Sequence, residues 1–466
     1  MAKRWGRGQL RSCGAGVPPA FFRQGGRLHQ SFSRSEAVSG TRRSFTGQAR
    51  SEGWQEIMER IVGGVTIRDI FLANGNWERF EEENAGRIRP AVRENVRKML
   101  QCRTPELGFH MYSCPVCGED RVVPHSCKSR MCSSCGKPAT DQWAEAVLNR
   151  TLDVPYHHLV MSVPWQLRVV TLANRRVMLN ILFRSAADAI LEWCERYKGF
   201  TPGVTAVMHT FGGDLKFHPH VHLIVTGGGW SEEKGRWIGL TDGFLMPEAG
   251  LKKRWKFQVT SRMNAAYRAG ELEMPRMEAD RRRRWKLGWI MSQVFKLIWY
   301  VMIGSCLKEI GFAVRYIGRY TRRPVIAEGR ILRYDEKWVV FRCKDYAQGG
   351  KRVTKTLRVM DFIGRLVRHI PDKHFRMVRH YGVFANRVWG TKLAASRESL
   401  GQKKAELPAA PTWRERWEKR TGRDPLICTR CGMEMVLVGY FFGKHAELYA
   451  MLGLAPGERI EYRDTG

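Results

Sequence analysis

The sequence predicts an α+β fold in which helices are mixed with antiparallel strands. Residues 204–226 contain two strand-like segments joined by a glycine break, and residues 330–343 contain a β-meander. Apolar residues at helical spacing recur over residues 61–101 and 166–198. Because strands and helices do not alternate as in a parallel sheet, we expect a central antiparallel sheet with flanking helices.

The chain begins with a segment whose composition differs from the rest. Residues 1–50 contain ten Lys and Arg residues, many Ser and Gly, and one acidic residue, Glu36. This composition is typical of a transit peptide, but regular periodicity begins only near Trp54. We therefore interpret residues 1–57 as a disordered basic extension, or as the result of a start assigned upstream of the true one at Met58.

Three further regions are predicted after this extension. Residues 58–150 combine helices with a cysteine-rich block, and residues 151–395 contain the hairpin, the meander and their flanking helices. Residues 396–466 read as a polar linker and a C-terminal region with a cysteine knuckle. Within the middle region the hairpin should end at the three glycines 227–229, and helices are expected at 288–309, 312–320, 359–369 and 371–380.

The net charge of the chain indicates a polyanionic partner. Its 466 residues include 79 Lys and Arg against 45 Asp and Glu, a formal charge of +34. Nucleic acid is the usual partner for such a charge, and the 16 Trp and 13 Tyr supply rings on which bases can stack. No run of about 18 apolar residues occurs, so we expect no transmembrane helix and no membrane partner.

The cysteines are clustered as metal ligands are, not spread as in a disulfide framework. Cys114-Pro-Val-Cys117 and Cys132-Ser-Ser-Cys135 form two knuckles separated by 14 residues, which predicts a four-thiolate structural zinc site. Four further residues are left over and either build a second site or replace one of those ligands: Cys102, His110, His125 and Cys127. We expect the zinc to stiffen a basic module that contacts DNA through Lys128 and Arg130.

A third knuckle lies near the C-terminus, at Cys428-Thr-Arg-Cys431. It is half of a zinc site, and no second pair lies nearby in the sequence. Three interpretations remain open: a degenerate ribbon, a site shared between two copies of the chain, or a knuckle completed by His445.

The predicted hairpin carries three histidines. His220 and His222 alternate along its second strand, so both side chains leave the same face. If Phe211 lies opposite His218, then His209 lies opposite His220, and three imidazoles meet at one point that suits a divalent metal. His218 is the competing third ligand, and ordinary strand histidines without a metal are the alternative.

Two tyrosines, Tyr316 and Tyr320, are four residues apart and would share one face of a helix. The surrounding arginines suit the binding of phosphates: Arg315, Arg319, Arg322 and Arg323. The alternative is a pair of amphipathic-helix tyrosines packed on a sheet. Together with the histidines, the pair indicates a metal-assisted tyrosine nucleophile.

In combination these features resemble the two-tyrosine rolling-circle transposases of bacterial insertion sequences, the Helitron-related group known as the insertion-sequence ninety-one family. The resemblance covers most of residues 60–440. It rests on a specific order of motifs: Cys102-Arg-Thr, Gly108-Phe-His110-x-Tyr-x-Cys114, the cysteine knuckles, His218-Pro-His220-Val-His222, Tyr316-Ile-Gly-Arg-Tyr320-Thr-Arg-Arg and His380-Tyr-Gly-Val-Phe-Ala-Asn386-Arg.

The resemblance implies an HUH endonuclease fold, with His220 and His222 as the HUH pair and Tyr316 and Tyr320 as nucleophiles. It implies Mg²⁺ or Mn²⁺ as the catalytic ion, although three imidazoles would suit zinc by ligand softness. The expected reaction nicks single-stranded or extruded DNA through a 5′-phosphotyrosine and transfers the strand. The expected protein is bacterial, cytoplasmic and associated with the nucleoid.

Other protein classes fit less of the sequence. A replication initiator or relaxase shares the chemistry but usually lacks the N-terminal cysteine-rich region. A zinc-dependent DNA-binding protein without catalysis has no need for two phenols beside three imidazoles. A tyrosine recombinase needs no metal, and an inactive transposase would retain the fold but not the reaction. The oligomeric state and the DNA sequences recognised are not encoded in any of these patterns.

Overall fold

The fold is taken from a computed structural model of the chain. The structure describes residues 64–148, 151–240, 245–276, 286–297, 299–307, 314, 324–345, 349–403, 411–442, 446–456 and 458–460. The basic extension, residues 1–57, lies outside this part of the chain.

A six-stranded antiparallel sheet forms the centre of the fold. The strands are β3 Tyr156–Ser162, β4 Thr201–Phe211, β5 Phe217–Ser231, β6 Arg236–Gly239, β7 Tyr300–Leu307 and β11 Val378–Gly382. Their order is β11-β4-β5-β3-β7, and β6 pairs with the C-terminal end of β5. The mixture of helices with an antiparallel sheet confirms the predicted α+β class.

Each face of this sheet is buried by a different part of the chain. One face presents Leu159, Met208 and Leu223 to the main core, which is closed by helices. Those helices are Trp165–Ala173, Arg175–Lys198, Glu248–Arg268 and Leu287–Lys296. The opposite face contributes Val207 and Ile224 to a smaller cluster that also contains Val314. The opposite face is therefore only partly filled by apolar side chains.

A second layer of structure joins the N-terminal helices to a separate meander. The helices are Ile67–Leu72, Asn76–Glu83 and Pro90–Leu100, and the meander strands are β8 Ile331–Asp335, β9 Trp338–Asp345 and β10 Lys351–Arg358. Their apolar residues form one core with the helix Val359–Val367. Phe341 and Phe362, which are both fully buried, pack together in this core with ring centroids 6.0 Å apart and ring planes tilted by 55°.

The third sheet pairs segments from opposite ends of the chain. Its order is β12-β1-β2, with β1 Phe109–Ser113, β2 Asp120–Pro124 and β12 Val436–Phe441. The remaining helices are Ser133–Leu148, Ala394–Ser399, Trp413–Thr421 and Ala446–Met451. The C-terminal knuckle therefore lies beside the N-terminal cysteine block.

Several predicted elements are corrected. The helix expected at 371–380 is absent from that described stretch, which instead leads into strand β11 because this segment pairs with β4 at the sheet edge. The helix expected at 288–309 ends at Lys296, and β7 follows because it pairs with β3.

The three glycines 227–229 do not end the hairpin, since β5 continues through them to Ser231. These glycines allow the backbones of β5 and β6 to approach closely, since a Cβ on Gly228 would lie 2.4 Å from the carbonyl oxygen of Ile238. The expected helix at 312–320 lies outside the described residues except for Val314. Among the helices in the described ranges, none has both the length and the apolar character needed to cross a membrane.

Candidate metal and DNA-processing site

Three histidines meet on one face of the central sheet. His209 pairs directly with His220 across the β4–β5 hairpin, and His222 follows two residues later on the same face. One ring nitrogen of each residue lies within 4.8 Å of the others. The predicted convergence therefore occurs in the structure. The turn register differs from the expected one, because Phe211 lies opposite Phe217 and the pairing shifts between His209 and Phe211.

Backbone and side-chain contacts orient two of these rings. The Nδ1 atom of His220 donates to the carbonyl oxygen of His218 at 2.8 Å, which leaves Nε2 with the free lone pair. The Nδ1 atom of His222 lies 2.9 Å from Nε2 of His158. Such contacts to the outer nitrogen fix which ring atom faces a metal.

His158 was not among the predicted site residues. It lies on β3, where Val160 pairs with His222, so His158 is on the same face as the three histidines. Its ring stacks on that of His222 with an interplanar angle of 8°. The only sequence signal was a histidine on a strand of alternating pattern, because the β3–β5 pairing joins residues about 60 positions apart.

His218, the competing third ligand, makes a different contact. Its Nε2 atom lies 2.5 Å from the hydroxyl oxygen of Ser162 on β3. The group of mutually close ligand atoms contains His209 and not His218. The geometry of the described residues therefore favours His209 as the third member.

Burial keeps His218, His220 and His222 neutral at pH 7. Loss of hydration lowers the pKa of His220 to about 4 and that of His222 well below its ordinary value. Nearby imidazoles lower the His222 pKa further. For His218, burial, the neighbouring His220 and the charge of Arg168 together lower the pKa to about 3. Neutral imidazoles have lone pairs available for a metal over the physiological pH range.

Arg168 is a second residue that the sequence analysis missed. It lies on the helix Trp165–Ala173 and interacts electrostatically with His218, His220 and Asp214. Within the described residues, its buried Nε atom has no hydrogen-bond partner. A guanidinium in this position can donate to an anion brought to the histidine face.

The imidazole cluster fits a catalytic divalent ion better than a structural one. Three nitrogen ligands leave coordination positions open for an oxygen of a substrate or water, whereas structural sites are usually closed by four ligands. Imidazole is a borderline-soft ligand, so this set suits Mn²⁺ or zinc better than Mg²⁺.

The predicted nucleophiles and four predicted DNA-binding arginines lie outside the described residues: Tyr316, Tyr320, Arg315, Arg319, Arg322 and Arg323. Lys128 is exposed on the zinc module. Arg130 is partly buried, and its charge influences Arg175 and His369 in the core. Of these two residues, Lys128 is the better placed for a phosphate contact.

Eight of the described cysteines form two four-thiol groups, whereas the sequence analysis named one such set and left a second site open. The first group contains Cys102, Cys127, Cys132 and Cys135, all buried in the core with the N-terminal helices. The Sγ atoms of Cys102 and Cys127 each lie 3.6 Å from that of Cys135. The predicted set of Cys114, Cys117, Cys132 and Cys135 is thus divided. Cys132 directly precedes the helix Ser133–Leu148 and Cys135 lies in its first turn, and both contact Cys102 and Cys127.

The second group contains Cys114, Cys117, Cys428 and Cys431. The pairing of β1 with β12 brings the two knuckles together. The other candidate ligands, His110 and His125, pair with each other through Nε2 atoms 3.2 Å apart and belong to neither group. His445 lies outside the described residues.

Comparison with known proteins identifies two family regions in the chain. Residues 72–163 match the family described as "Transposase zinc-binding domain", and residues 203–391 match the family described as "Putative transposase". The first range contains the first cysteine group, and the second contains the histidine hairpin.

Two curated proteins are similar over most of their length. The "Transposase for insertion sequence element IS801" of Pseudomonas savastanoi pv. phaseolicola is 32% identical over 391 residues, which cover 81% of this chain and 90% of the relative. The "Putative transposase y4qJ" of Sinorhizobium fredii is 29% identical over 386 residues, which cover 82% of this chain and 96% of the relative. No solved structure matches the chain.

Proposed function

The chain belongs to the insertion-sequence ninety-one family of transposases, the group that includes the transposase of IS801, and its N-terminal region is the zinc-binding domain of that family. From this premise we propose that it nicks single-stranded DNA at the ends of its element and transfers the strand through a 5′-phosphotyrosine. The observation that carries the proposal is the convergence of His209, His220 and His222 on one sheet face.

The position of Val314 supports Tyr316 as a nucleophile at this face. Val314 is fully buried in the same cluster as Val207 and Ile224, which lie on the histidine side of the sheet. Tyr316 follows Val314 by two residues in the sequence and is proposed as one nucleophile. Tyr320 follows four residues later and is proposed as the second nucleophile.

Each residue has a defined task in the proposed reaction. The phenolic oxygen of one tyrosine attacks the phosphorus, and the bond from phosphorus to the 3′ oxygen breaks. The departing oxygen takes up a proton to give a free 3′-hydroxyl, while the 5′-phosphate remains joined to tyrosine. The energy of the broken ester is kept in the new one, so the second tyrosine can take a further strand before the first is released.

The surrounding groups prepare this attack. A divalent ion held by the three imidazoles would polarise the scissile phosphate and offset the developing negative charge. Arg168 donates to a non-bridging phosphate oxygen, which neutralises charge on the same group. Tyrosine has an ordinary pKa near 10, so the positive charge around the phosphate is needed for attack by a phenolate at neutral pH.

The proposed substrate is single-stranded or extruded DNA. A tyrosine on the sheet face needs a backbone that can enter the site, and a stacked duplex presents its phosphates on a stiff outer surface. The formal charge of +34 supplies the general attraction to DNA. Stacking of unpaired bases on aromatic side chains would add affinity for single strands.

A covalent-adduct assay tests the proposal. The full chain, with Tyr316→Phe, Tyr320→Phe or both, is incubated with labelled single strands that carry the DNA flanking its own gene, in Mn²⁺ or EDTA. We expect a denaturation-resistant protein–DNA band that requires the metal and disappears in the double variant. The single variants then establish which tyrosine acts first.

Tyr267→Phe is the matched control, because this exposed tyrosine lies on the helix Glu248–Arg268 away from the histidine face. It should form the adduct as the unchanged chain does. DNA binding without an adduct over all flanking strands, or an adduct that survives the double substitution, would contradict the tyrosine mechanism.

A further inference from the structure

The second cysteine group is not explained by the matched family regions. The zinc-binding domain at residues 72–163 contains six cysteines, of which four form the first group. The two that remain, Cys114 and Cys117, converge with Cys428 and Cys431, which lie beyond both matched ranges. We propose that these four cysteines bind a second structural zinc ion, which fastens the C-terminal region onto the zinc-binding domain.

The distances among the four sulfur atoms fit a tetrahedral site. The Sγ atoms of Cys114 and Cys431 are 3.3 Å apart, and those of Cys117 and Cys428 are 3.5 Å apart. All four lie within 4.8 Å of one another. Zinc–sulfur bonds of about 2.3 Å place the sulfurs of a regular tetrahedron about 3.8 Å apart. The first group, with spacings of 3.6 Å, has the same dimensions.

The two knuckles have the same backbone structure. In each, the N–H of the first cysteine donates to a carbonyl five residues later, at 2.9 Å for Cys114 and 2.8 Å for Cys428. The glycine four positions after that cysteine donates back to its carbonyl, at 3.0 Å for Gly118 and 2.9 Å for Gly432. Both glycines have positive φ, 69° and 76°, which favours glycine at the turn. Two matching half-sites therefore face each other.

Backbone amides also point at the sulfurs in matching positions. The N–H groups of Val116 and Cys117 donate to Cys114 Sγ, and those of Arg430 and Cys431 donate to Cys428 Sγ. Hydrogen bonds of this kind stabilise thiolates, which are the form that binds zinc. The same donors recur in both knuckles, so the first cysteine of each knuckle is arranged as a thiolate.

Besides the pairing of β12 with β1 and the stacking of Phe441 on Phe109, little holds the C-terminal region near this group. Of residues 411–442, only Pro425, Cys428 and Met435 are buried. The helix Trp413–Thr421 and strand β12 bury no residue. A metal ion would add a strong attachment to a segment with so little apolar burial.

Disulfides are the competing explanation for these thiols. They require two exclusive pairs with sulfurs about 2.05 Å apart. Here Cys431 Sγ interacts with all three of the other sulfurs. Convergence of four atoms on one point is expected of a metal site and not of two separate bonds.

Metal stoichiometry tests the proposal without reference to DNA cleavage, so its outcome is independent of the proposed reaction. The full chain, with His220→Ala and His222→Ala so that the imidazole cluster cannot add a zinc ion of its own, is purified under reducing conditions without added chelator, and zinc is measured by mass spectrometry against protein concentration. We expect two zinc ions per chain, and one in the variant with Cys428→Ser and Cys431→Ser. Cys306→Ser, which changes an exposed cysteine on β7 outside both groups, should retain two.

A second measurement addresses the fastening directly and needs no change to the cysteines. A protease recognition sequence is inserted between Lys403 and Pro411, and the cleaved protein is passed over a sizing column. The C-terminal fragment should co-elute with the rest until a chelator removes the zinc, and then separate from it.

Three results would overturn the proposal. They are one zinc ion in the chain that keeps all its cysteines, two zinc ions in the double cysteine variant, or two disulfides among these cysteines under the reducing preparation. Release of the fragment while two zinc ions stay bound would equally exclude a zinc that spans the two knuckles.

Discussion

The histidine cluster and the first cysteine group use metal ligands in opposite ways. The three imidazoles lie on one face of a sheet, and their number leaves room for a further ligand. The four thiols Cys102, Cys127, Cys132 and Cys135 are buried within a core and complete a tetrahedron by themselves. The first arrangement suits chemistry on a bound substrate, and the second suits the folding of a small domain.

This difference predicts which property, stability or activity, a substitution in each region should change. Loss of a thiol should remove the zinc and destabilise the domain around it, because the metal replaces apolar contacts there. Loss of an imidazole should remove activity and leave the sheet folded, because β4 and β5 are held by their own pairing and core. Substitutions in the two regions therefore separate stability from catalysis.

The largest effect is expected from Cys132→Ser in the first group. The variant should lose that zinc and on the order of 5 kcal/mol of unfolding free energy, because bound structural zinc contributes directly to folding. Thermal unfolding and zinc content measure both. Cys343→Ala is the matched control, since Cys343 is buried in the same core but belongs to no metal group, and we expect it to cost about 1 kcal/mol.

His222→Ala should have the opposite effect, a loss of activity without a loss of stability. Removing one of three ligands takes away several kcal/mol of charge stabilisation, so adduct formation should fall by roughly 10³-fold or more. The zinc content and the unfolding temperature should stay near those of the unchanged chain. His374→Asn, at an exposed histidine with φ of 64°, should leave the rate unaltered. A large drop in unfolding temperature for His222→Ala would contradict the expectation that the histidine region controls activity and not stability.

A smaller effect is expected at His158, because it contacts the proposed ligand His222 and is not itself a proposed ligand. Its Nε2 atom lies 2.9 Å from Nδ1 of His222. His158→Leu should weaken metal affinity by roughly 10- to 100-fold, as expected for an outer partner of a ligand. The Mn²⁺ concentration at half-maximal adduct formation measures this, and His158→Gln should restore part of the affinity. Equal affinity in all three proteins would mean that the contact does not orient the ring.

Arg168→Ala should give the mildest defect, a loss of about tenfold in adduct formation that shrinks as salt is raised, because salt screens the attraction between the guanidinium and the phosphate. Arg168→Lys should recover part of the rate because it retains the charge. Arg184→Ala, an exposed arginine that pairs with Asp188, provides the control for loss of general positive charge. An equal loss at Arg184 would assign the effect to net charge and not to the site.

The same comparison explains what the sequence could predict. The convergence of His209 and His220 follows from a hairpin, where chain direction and period-2 alternation fix the neighbours locally. His158 was missed because its approach to His222 depends on pairing of β3 with β5, which lie far apart in the sequence. The grouping of cysteines was wrong for a similar reason, since knuckle spacing does not encode which strands pair.

The prediction of a helix at 371–380 was also wrong because pairing with a distant strand decides the structure there. Its apolar spacing is compatible with a helix, but Val378–Gly382 supplies the edge strand that β4 lacks. Tertiary pairing therefore overrides the local pattern. The meander was predicted correctly, as was the helical structure over residues 166–198, because their signals are local turns and long apolar periods.

The antiparallel pairing of β1 with β12 has a consequence for the timing of synthesis. Cys117 and Cys428 lie 311 positions apart in the sequence. The knuckle of Cys114 and Cys117 therefore cannot meet its partner until nearly the whole chain has been synthesised. At about 5 to 20 residues per second, that interval is roughly 15 to 60 s on the ribosome. The first cysteine group, complete at Cys135, can close long before. A nascent chain would therefore pass through a stage with one zinc site formed and the other half built, and a chain truncated before Cys428 could never leave that stage.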